Sequence, residues 1–308
     1  MSKAQTAEWS WLAWARWKVK IPVNWRPLRV ENRDSSGHLM LGDSEQATVQ
    51  FKWWNPPTKG FDISRWLDKR LRSMGKKVRA EEEAPAAFRF DRSLWLPEVR
   101  TRKGAVSSVW YGYSARAPLV LEVVVNCGAG PEVRDLAKNL LLPSLDVSAA
   151  DAPTRWSVYD TSFESPPGYT IYKSRLHLGA ISLFLENGRR QLMLCQVYPG
   201  TAALAKKPLE TWLDISSLKG KWHSSAAMQG PAAVKVGAFS GLERAVTKRR
   251  PFPLGRLAQR HCVAVVAHDQ ALDRLLLAEH ISPDTTESKF VSNAVRSMNW
   301  AHRERNEA

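Results

Sequence analysis

Shifted along itself by 144 positions, without a gap, this chain repeats its own pattern of apolar residues. Self-similarity at a fixed offset restricts architecture more than any local motif does, because each copy must build the same supersecondary unit. Val19, Pro22, Trp25 and Leu28 fall on Phe163, Pro166, Tyr169 and Tyr172. Leu39, Met40 and Leu41 fall on Leu183, Phe184 and Leu185, while Val49, Phe51, Trp53 and Trp54 fall on Met193, Cys195, Val197 and Tyr198. One offset therefore spans four successive predicted strands.

With the offset moved by two residues, Ile63, Trp66 and Leu67 fall on Leu209, Trp212 and Leu213. Each set is spaced i, i+3, i+4, as one face of a helix requires, so a helix repeats as well. Tyr113 with Leu119 to Val125 resembles Val265 with Leu275 to Ala278, a hairpin pattern, and helical segments at Glu132–Leu142 and Thr286–Met298 follow. Turns such as Ser35-Ser36-Gly37 and Asn187-Gly188 are too short for a parallel crossover, so neighbouring strands pair antiparallel. Helices with one apolar stripe, such as Val133, Leu136, Ala137, Leu140 and Leu141, need a sheet to cover. Each copy reads as four strands, a helix, an irregular stretch, two strands and a helix. The expected fold is α/β of the α+β kind, in two tandem domains, each a mainly antiparallel sheet flanked by helices. Residues 1–8 form an N-terminal tail, 9–147 the first repeat, 148–154 a linker, 155–300 the second repeat and 301–308 a C-terminal tail.

The opening of each copy is an apolar strand ending in proline with an aromatic residue just beyond: Ile21-Pro22-Val23-Asn24-Trp25 and Ser165-Pro166-Pro167-Gly168-Tyr169. This pattern and the element order resemble the PsbP-like superfamily, which includes the DcrB-like and the Ran-binding Mog proteins. The resemblance implies an antiparallel sheet flanked by helices, used mostly as a non-enzymatic accessory or binding module. It transfers no functional residue, because the family has no common active site. Many PsbP-like and DcrB-like members carry an export signal. Here the stretch Met1 to Trp17 mixes charged residues with tryptophans and shows no uninterrupted apolar core.

Composition narrows the setting. Apolar residues make up 44% and charged residues 24%, ordinary globular usage. No run approaches the roughly 18 apolar residues of a membrane-spanning helix. Cys127, Cys195 and Cys262 are odd in number and lie in separate apolar segments, which fits buried thiols in a reducing compartment, so a cytoplasmic protein is expected. The net charge is +15, with 24 basic against 16 acidic residues in 1–150 and 21 against 14 beyond. A field of that sign draws acidic proteins, nucleic acids or anionic lipid heads without selecting among them.

Three groups of residues are candidates for partner binding. Arg65, Lys69, Arg72 and Lys76 recur on one face of the first repeat's helix. Lys248, Arg249, Arg250, Phe252 and Arg256 combine cations, prolines and an aromatic ring in a predicted loop, which can pair with carboxylates or phosphates and stack. Trp9, Trp11 and Trp14 crowd the N-terminus, either folded back over the first domain or serving as an aromatic anchor. By contrast, Trp66 and Trp212 sit on apolar helix faces and read as core.

Enzyme chemistry finds little footing. The sequence has no glycine-rich phosphate loop, His-Glu-x-x-His or Cys-x-x-Cys motif. Ser216-Ser217-Leu218-Lys219 matches a Ser-x-x-Lys tetrad, but the companion motifs of serine acyl-enzymes are absent. His261 and Cys262 are adjacent on a predicted strand and so point to opposite faces. No catalytic, cofactor or metal site is expected. The expected function is non-enzymatic: a scaffold or accessory protein holding an acidic or apolar-patch partner within a larger assembly. A nucleic-acid-binding accessory protein is the alternative, and an enzyme with an illegible site the third reading. Free cysteine in an apolar segment packs as a small hydrophobe, so thiol titration of the folded protein is expected to find all three thiols reduced and slow to label. Rapid labelling of the three would contradict the assignment.

Overall fold

The computed structural model describes residues 9–33, 36–43, 49–57, 59–74, 90–100, 106–126, 131–159, 161–177, 179–214, 223–224, 230–249, 259–284 and 288–300. The strands form three sheets, mostly antiparallel, and helices are few and short. The protein is thus more sheet-rich than the α/β expectation. It divides into two compact units, one within residues 1–160 and the other Thr161–Trp300.

Unit 1 opens with a hairpin, β1 (Trp9–Trp14) and β2 (Trp17–Pro22), whose turn residues Ala15 and Arg16 both have positive φ. That geometry matches the twist of the flanking strands. Strands β3 (Arg26–Arg33), β4 (Ser36–Gly42) and β5 (Val49–Trp54) follow, then helix α1 (Ile63–Met74) and strands β6 (Arg92–Arg100), β7 (Val106–Ser114) and β8 (Leu119–Asn126). A helical stretch closes this series: α2 (Pro131–Leu136), a π turn (Ala137–Leu141) and α3 (Leu142–Ser144). Strands β9 (Asp146–Val147) and β10 (Thr154–Val158) then pair with β2 and β1. The large sheet runs β3-β4-β5-β8-β7-β6.

Apolar packing covers both faces of this sheet. On one, Trp17 stacks on Phe51 at 4.7 Å and lies 5.8 Å from Trp53, while Trp14 meets Trp156 edge-on. Each buried indole removes about 200 Å² from water, worth roughly 5 kcal/mol before entropy is charged. The other face carries α1, whose Trp66, Leu67, Leu71 and Met74 pack on Leu96, Val109 and Tyr111. Asp62 caps that helix by accepting from the Arg65 amide. Beneath it Glu122, almost buried, receives Lys52 at 3.3 Å and Arg70 at 3.4 Å. Arg70 also donates to the Tyr111 hydroxyl, whose pKa burial and the Glu122 charge push up to about 12.

Unit 2 contains β11 (Thr161–Ser165), β12 (Thr170–His177), β13 (Ala180–Asn187) and β14 (Arg190–Val197), then α4 (Gly200–Lys206) and a 3₁₀ helix, Leu209–Asp214. Strands β15 (His223–Ser224), β16 (Ala232–Val236), β17 (Phe239–Arg249), β18 (Gln259–Asp269) and β19 (Arg274–Ser282) precede helix α5 (Ser288–Arg296) and β20 (Asn299–Trp300), which pairs with β11. The large sheet runs β12-β13-β14-β19-β18-β17-β15, with β16 alongside β17. Its first six strands repeat the order of unit 1. In both sheets the bulge in the first strand falls at one residue, Leu28 and Tyr172, 144 positions apart.

Three expectations need correction. Leu39 pairs with Phe51, but Leu183 pairs with Leu194, so β14 sits one residue out of the ungapped alignment. Leu194, not Cys195, takes the place of Phe51, because a one-residue slip exchanges the two faces of a strand. Similarly, Val265 pairs with Ala278 at the position where Trp110 pairs with Val123, not where Tyr113 stands. The predicted irregular stretches contain the further strands β6 and β17. Their mixed polarity hid them, since a strand with polar residues on both faces lacks clean alternation.

Behind β19, His280 is buried with Nε2 2.8 Å from the Tyr169 hydroxyl and its ring 4.6 Å from Phe290 of α5. Burial, with the Arg190 charge adding to it, lowers the imidazole pKa to about 4. An unfolded chain takes up this proton near pH 6.5, so His280 contributes stability above that pH which is lost as the pH falls towards 4, a loss on the order of 3 kcal/mol. The melting temperature of the protein is expected to drop across this window, and His280→Gln to flatten the drop; an unchanged slope would contradict the assignment.

Candidate functional site

Unit 2 builds a cleft where β14 runs into α4. Past Val197 the backbone turns and the Tyr198 amide donates to the Gly179 carbonyl at 2.7 Å. Gly179 has φ +84°, and a Cβ there would lie 2.6 Å from the Tyr198 carbonyl oxygen, so no larger residue fits. Pro199 at the N-cap offers no side-chain acceptor. The cap comes instead from Asp273, in the β18–β19 turn. Its carbonyl accepts from the Gly200 amide, and its carboxylate accepts from the Thr201 amide at 2.8 Å and hydroxyl at 2.9 Å. Those bonds, the Thr201 amide foremost, hold the carboxyl below its usual range.

The cleft has a volume of about 310 Å³ and is lined by Val197, Tyr198, Pro199, Ala202, Ala203 and Trp212, with Lys206 and Lys207 beside them. Trp212 stands on the 3₁₀ helix, its indole N–H directed at the Lys207 carbonyl at 3.4 Å. Tyr198 is 48% exposed, unusual for a large aromatic residue. The volume lies at the lower end of the ligand-pocket range, and the chemistry is that of an apolar slot with ammonium groups at its edge.

Nearby polar groups are arranged for structure. His268 Nε2 lies 3.7 Å from Asp273, and with Thr201 the three residue types resemble a nucleophile triad. Activation needs the imidazole between hydroxyl and carboxylate. Here the carboxylate stands between, and the Thr201 hydroxyl donates to it, so it serves as a cap. Arg274 and Asp269, each 3% exposed, form a buried pair at 2.9 Å. Arg274 also donates to Gln196 and to the Met298 carbonyl, and Gln196 donates to Thr161. Burial pushes the Cys262 thiol up to about 12 and raises that of Cys195, both unfavourable to a thiolate. His261 engages Thr247 and Gln259. Among the described residues no group of three His, Cys, Asp or Glu could hold a metal ion.

The residues singled out from the sequence fall on separate elements. Arg65, Lys69 and Arg72 are exposed on α1; Lys76 lies outside the described residues. Lys248 and Arg249 belong to the end of β17, not to a loop, and pair with Ser224 and His223 on one side and Arg260 and Gln259 on the other. Arg250, Phe252, Arg256, Cys127 and the Ser216–Lys219 tetrad lie outside the described residues. Trp9 and Trp14 are buried, at 7% and 0% exposure, and Trp11 is half-buried with Lys18 and Lys20 over its ring. Trp9 and Trp14 are therefore core residues of β1, not surface anchors. Sequence reasoning missed Tyr198, Lys206 and Lys207, and read Trp212 as core only. The run Lys206-Lys207-Pro208 ahead of a tryptophan was the available signal.

No family model matches this chain, and no curated protein does. Among solved structures, a mutant of protein Mog1 is similar to half of it, with 9% identity and a TM-score of 0.31, covering 49% of this chain and 96% of that one. A likeness of that size leaves function to be argued from this chain's own residues. No described helix is long and apolar enough to cross a membrane.

If Asp273 seats α4, Asp273→Ala is expected to speed amide exchange at Ala202–Lys206 several-fold while the β18 and β19 amides keep their protection. Lowering the pH through the range of the depressed carboxyl should fray α4 of the unmodified protein in the same way. Equal exchange in both proteins would show that the cap does not hold the cleft.

Proposed function

We propose that this chain is a non-enzymatic interaction protein, a scaffold or accessory subunit, which docks an acidic segment of a partner protein with an apolar side chain anchored in the Trp212 cleft. The observation that carries this reading is the cleft itself: six apolar or aromatic lining residues beside two lysines. An anchor burying about 100 Å² there gains roughly 2.5 kcal/mol. Carboxylates beside it meet Lys206 and Lys207, and the net charge of +15 steers an acidic partner towards the protein. A contact of this size suits a transient partner or one site among several in an assembly. The PsbP-like pattern of the sequence points to the same class of protein. Buried Cys195 and Cys262 fit a reducing compartment such as the cytoplasm.

The test uses a fluorescein-labelled peptide with a single phenylalanine between acidic flanks, followed by anisotropy. Saturable binding is expected, weakened roughly tenfold by Trp212→Ala and made less salt-dependent by Lys206→Glu with Lys207→Glu. Absence of peptide binding would overturn the cleft reading. Salt-steep binding of single-stranded oligonucleotide that vanishes on replacing Lys248, Arg249 and Arg250 by alanine would establish the nucleic-acid reading in its place.

A further inference from the structure

The first strands of the two large sheets occupy the same ladder position but differ in charge. In β3, Arg29 and Glu31 form an ion pair along the strand, both exposed. The residues 144 positions on are Lys173 and Arg175 in β12. Both are exposed, and they hold their charges 5.5 and 5.6 Å from the centre of the Phe184 ring. His177, also exposed, extends the series at the same spacing. Neither Lys173 nor Arg175 has a carboxylate partner among the described residues. Strand β12, eight residues long, pairs on one side only there, with β13.

We propose that β12 is an acceptor edge, to which a partner protein adds an extended segment carrying acidic side chains at alternate positions. An open edge presents a row of N–H and C=O groups that another chain can complete. Carboxylates at every second position of the added strand would meet Lys173, Arg175 and His177 across the new pairing and supply the countercharge that Glu31 supplies within β3. Phe184 already holds two of the cations in place, which reduces the side-chain entropy lost on docking. A second copy of this chain is a poor occupant, because it would set the same cations against one another. A nucleic acid strand would satisfy the cations but leave the edge carbonyls without donors. The edge also ends close to the cleft: His177 pairs with Ala180, and Ala180 with Val197. A segment added outside β12 therefore reaches the cleft across about 14 Å, three strand spacings. The inference shares with the proposed function only the class of partner and stands on a different element.

The probe is a heptapeptide alternating valine and glutamate, with a valine–lysine peptide as control, read by anisotropy and by amide exchange resolved to single strands. Slowed exchange is expected across 170–177 and not across 26–33. Lys173→Glu with Arg175→Glu should weaken the acidic peptide roughly tenfold and admit the lysine peptide. If that variant melts early, Lys173→Gln with Arg175→Gln serves, with loss of binding and no gain. Binding without protection of β12, or affinity unchanged by both variants, would overturn the proposal. Because the heptapeptide has no aromatic anchor, its failure beside continued binding of the phenylalanine peptide would remove the edge and leave the cleft. Protection of β12 with phenylalanine-peptide binding unaffected by Trp212→Ala would do the reverse.

Discussion

Everything in each unit depends on one long-range pairing, β5 with β8 and β14 with β19. Strands β3 to β5 are consecutive hairpins, as are β6 to β8, so each trio can form locally. The central pairing joins them across a connection of more than sixty residues in either unit, at the cost of closing a long loop. Buried residues along these strands repay it. Val49 and Phe51 meet Val125 and Val123 in unit 1, and Leu192 and Leu194 meet His280 and Ala278 in unit 2. Once the six strands are joined, each face is wide enough to need covering, and α1 or the 3₁₀ helix takes the face that the connection crosses.

On this shared ladder the two units place their polar groups differently. Counted from the common bulge, the positions of Lys52, Tyr111 and Glu122 in unit 1 are held by Cys195, Val266 and Leu277 in unit 2. An ionic cluster beneath a helix thus corresponds to an apolar contact, with Met193, Phe184 and Leu213 around it. The opposite exchange occurs at the hairpin end, where Ser114 and Leu119 correspond to Asp269 and Arg274. Burying that pair costs desolvation, so its value lies in fixing geometry more than in adding stability. Arg274 binds Asp269, Gln196 and the Met298 carbonyl at once, which fixes the turn between β18 and β19. Asp273 stands in that turn. The buried pair therefore holds the residue that caps α4, and α4 forms one wall of the cleft.

This chain of dependence explains why the cleft belongs to unit 2. Trp53 fills the position in unit 1 that Gln196 takes in unit 2, and with no arginine in place of Leu119 there is no network for a glutamine to join. Tyr198 and Trp212 flank a short helix seated by a remote carboxylate, and the two lysines follow from where that helix ends.

The sequence by itself determined the period, the antiparallel hairpins and the apolar stripe of each helix, because these follow from the spacing of side chains along a strand or helical turn. It led to an error at β14, since a strand buried on both faces has no alternation with which to fix its register, and apolar residues match equally well one position away. It concealed β6 and β17 behind their mixed polarity, and it gave Trp14 of β1 and Trp17 of β2 no partners, because theirs come from β10 and β5. Lys248 and Arg249 read as loop for the same reason: what makes them strand is pairing with residues far along the chain. The cleft could be decided only by tertiary structure. Residues 197–212 and 268–274 carry no joint signature, and they meet only after β14 and β19 have paired.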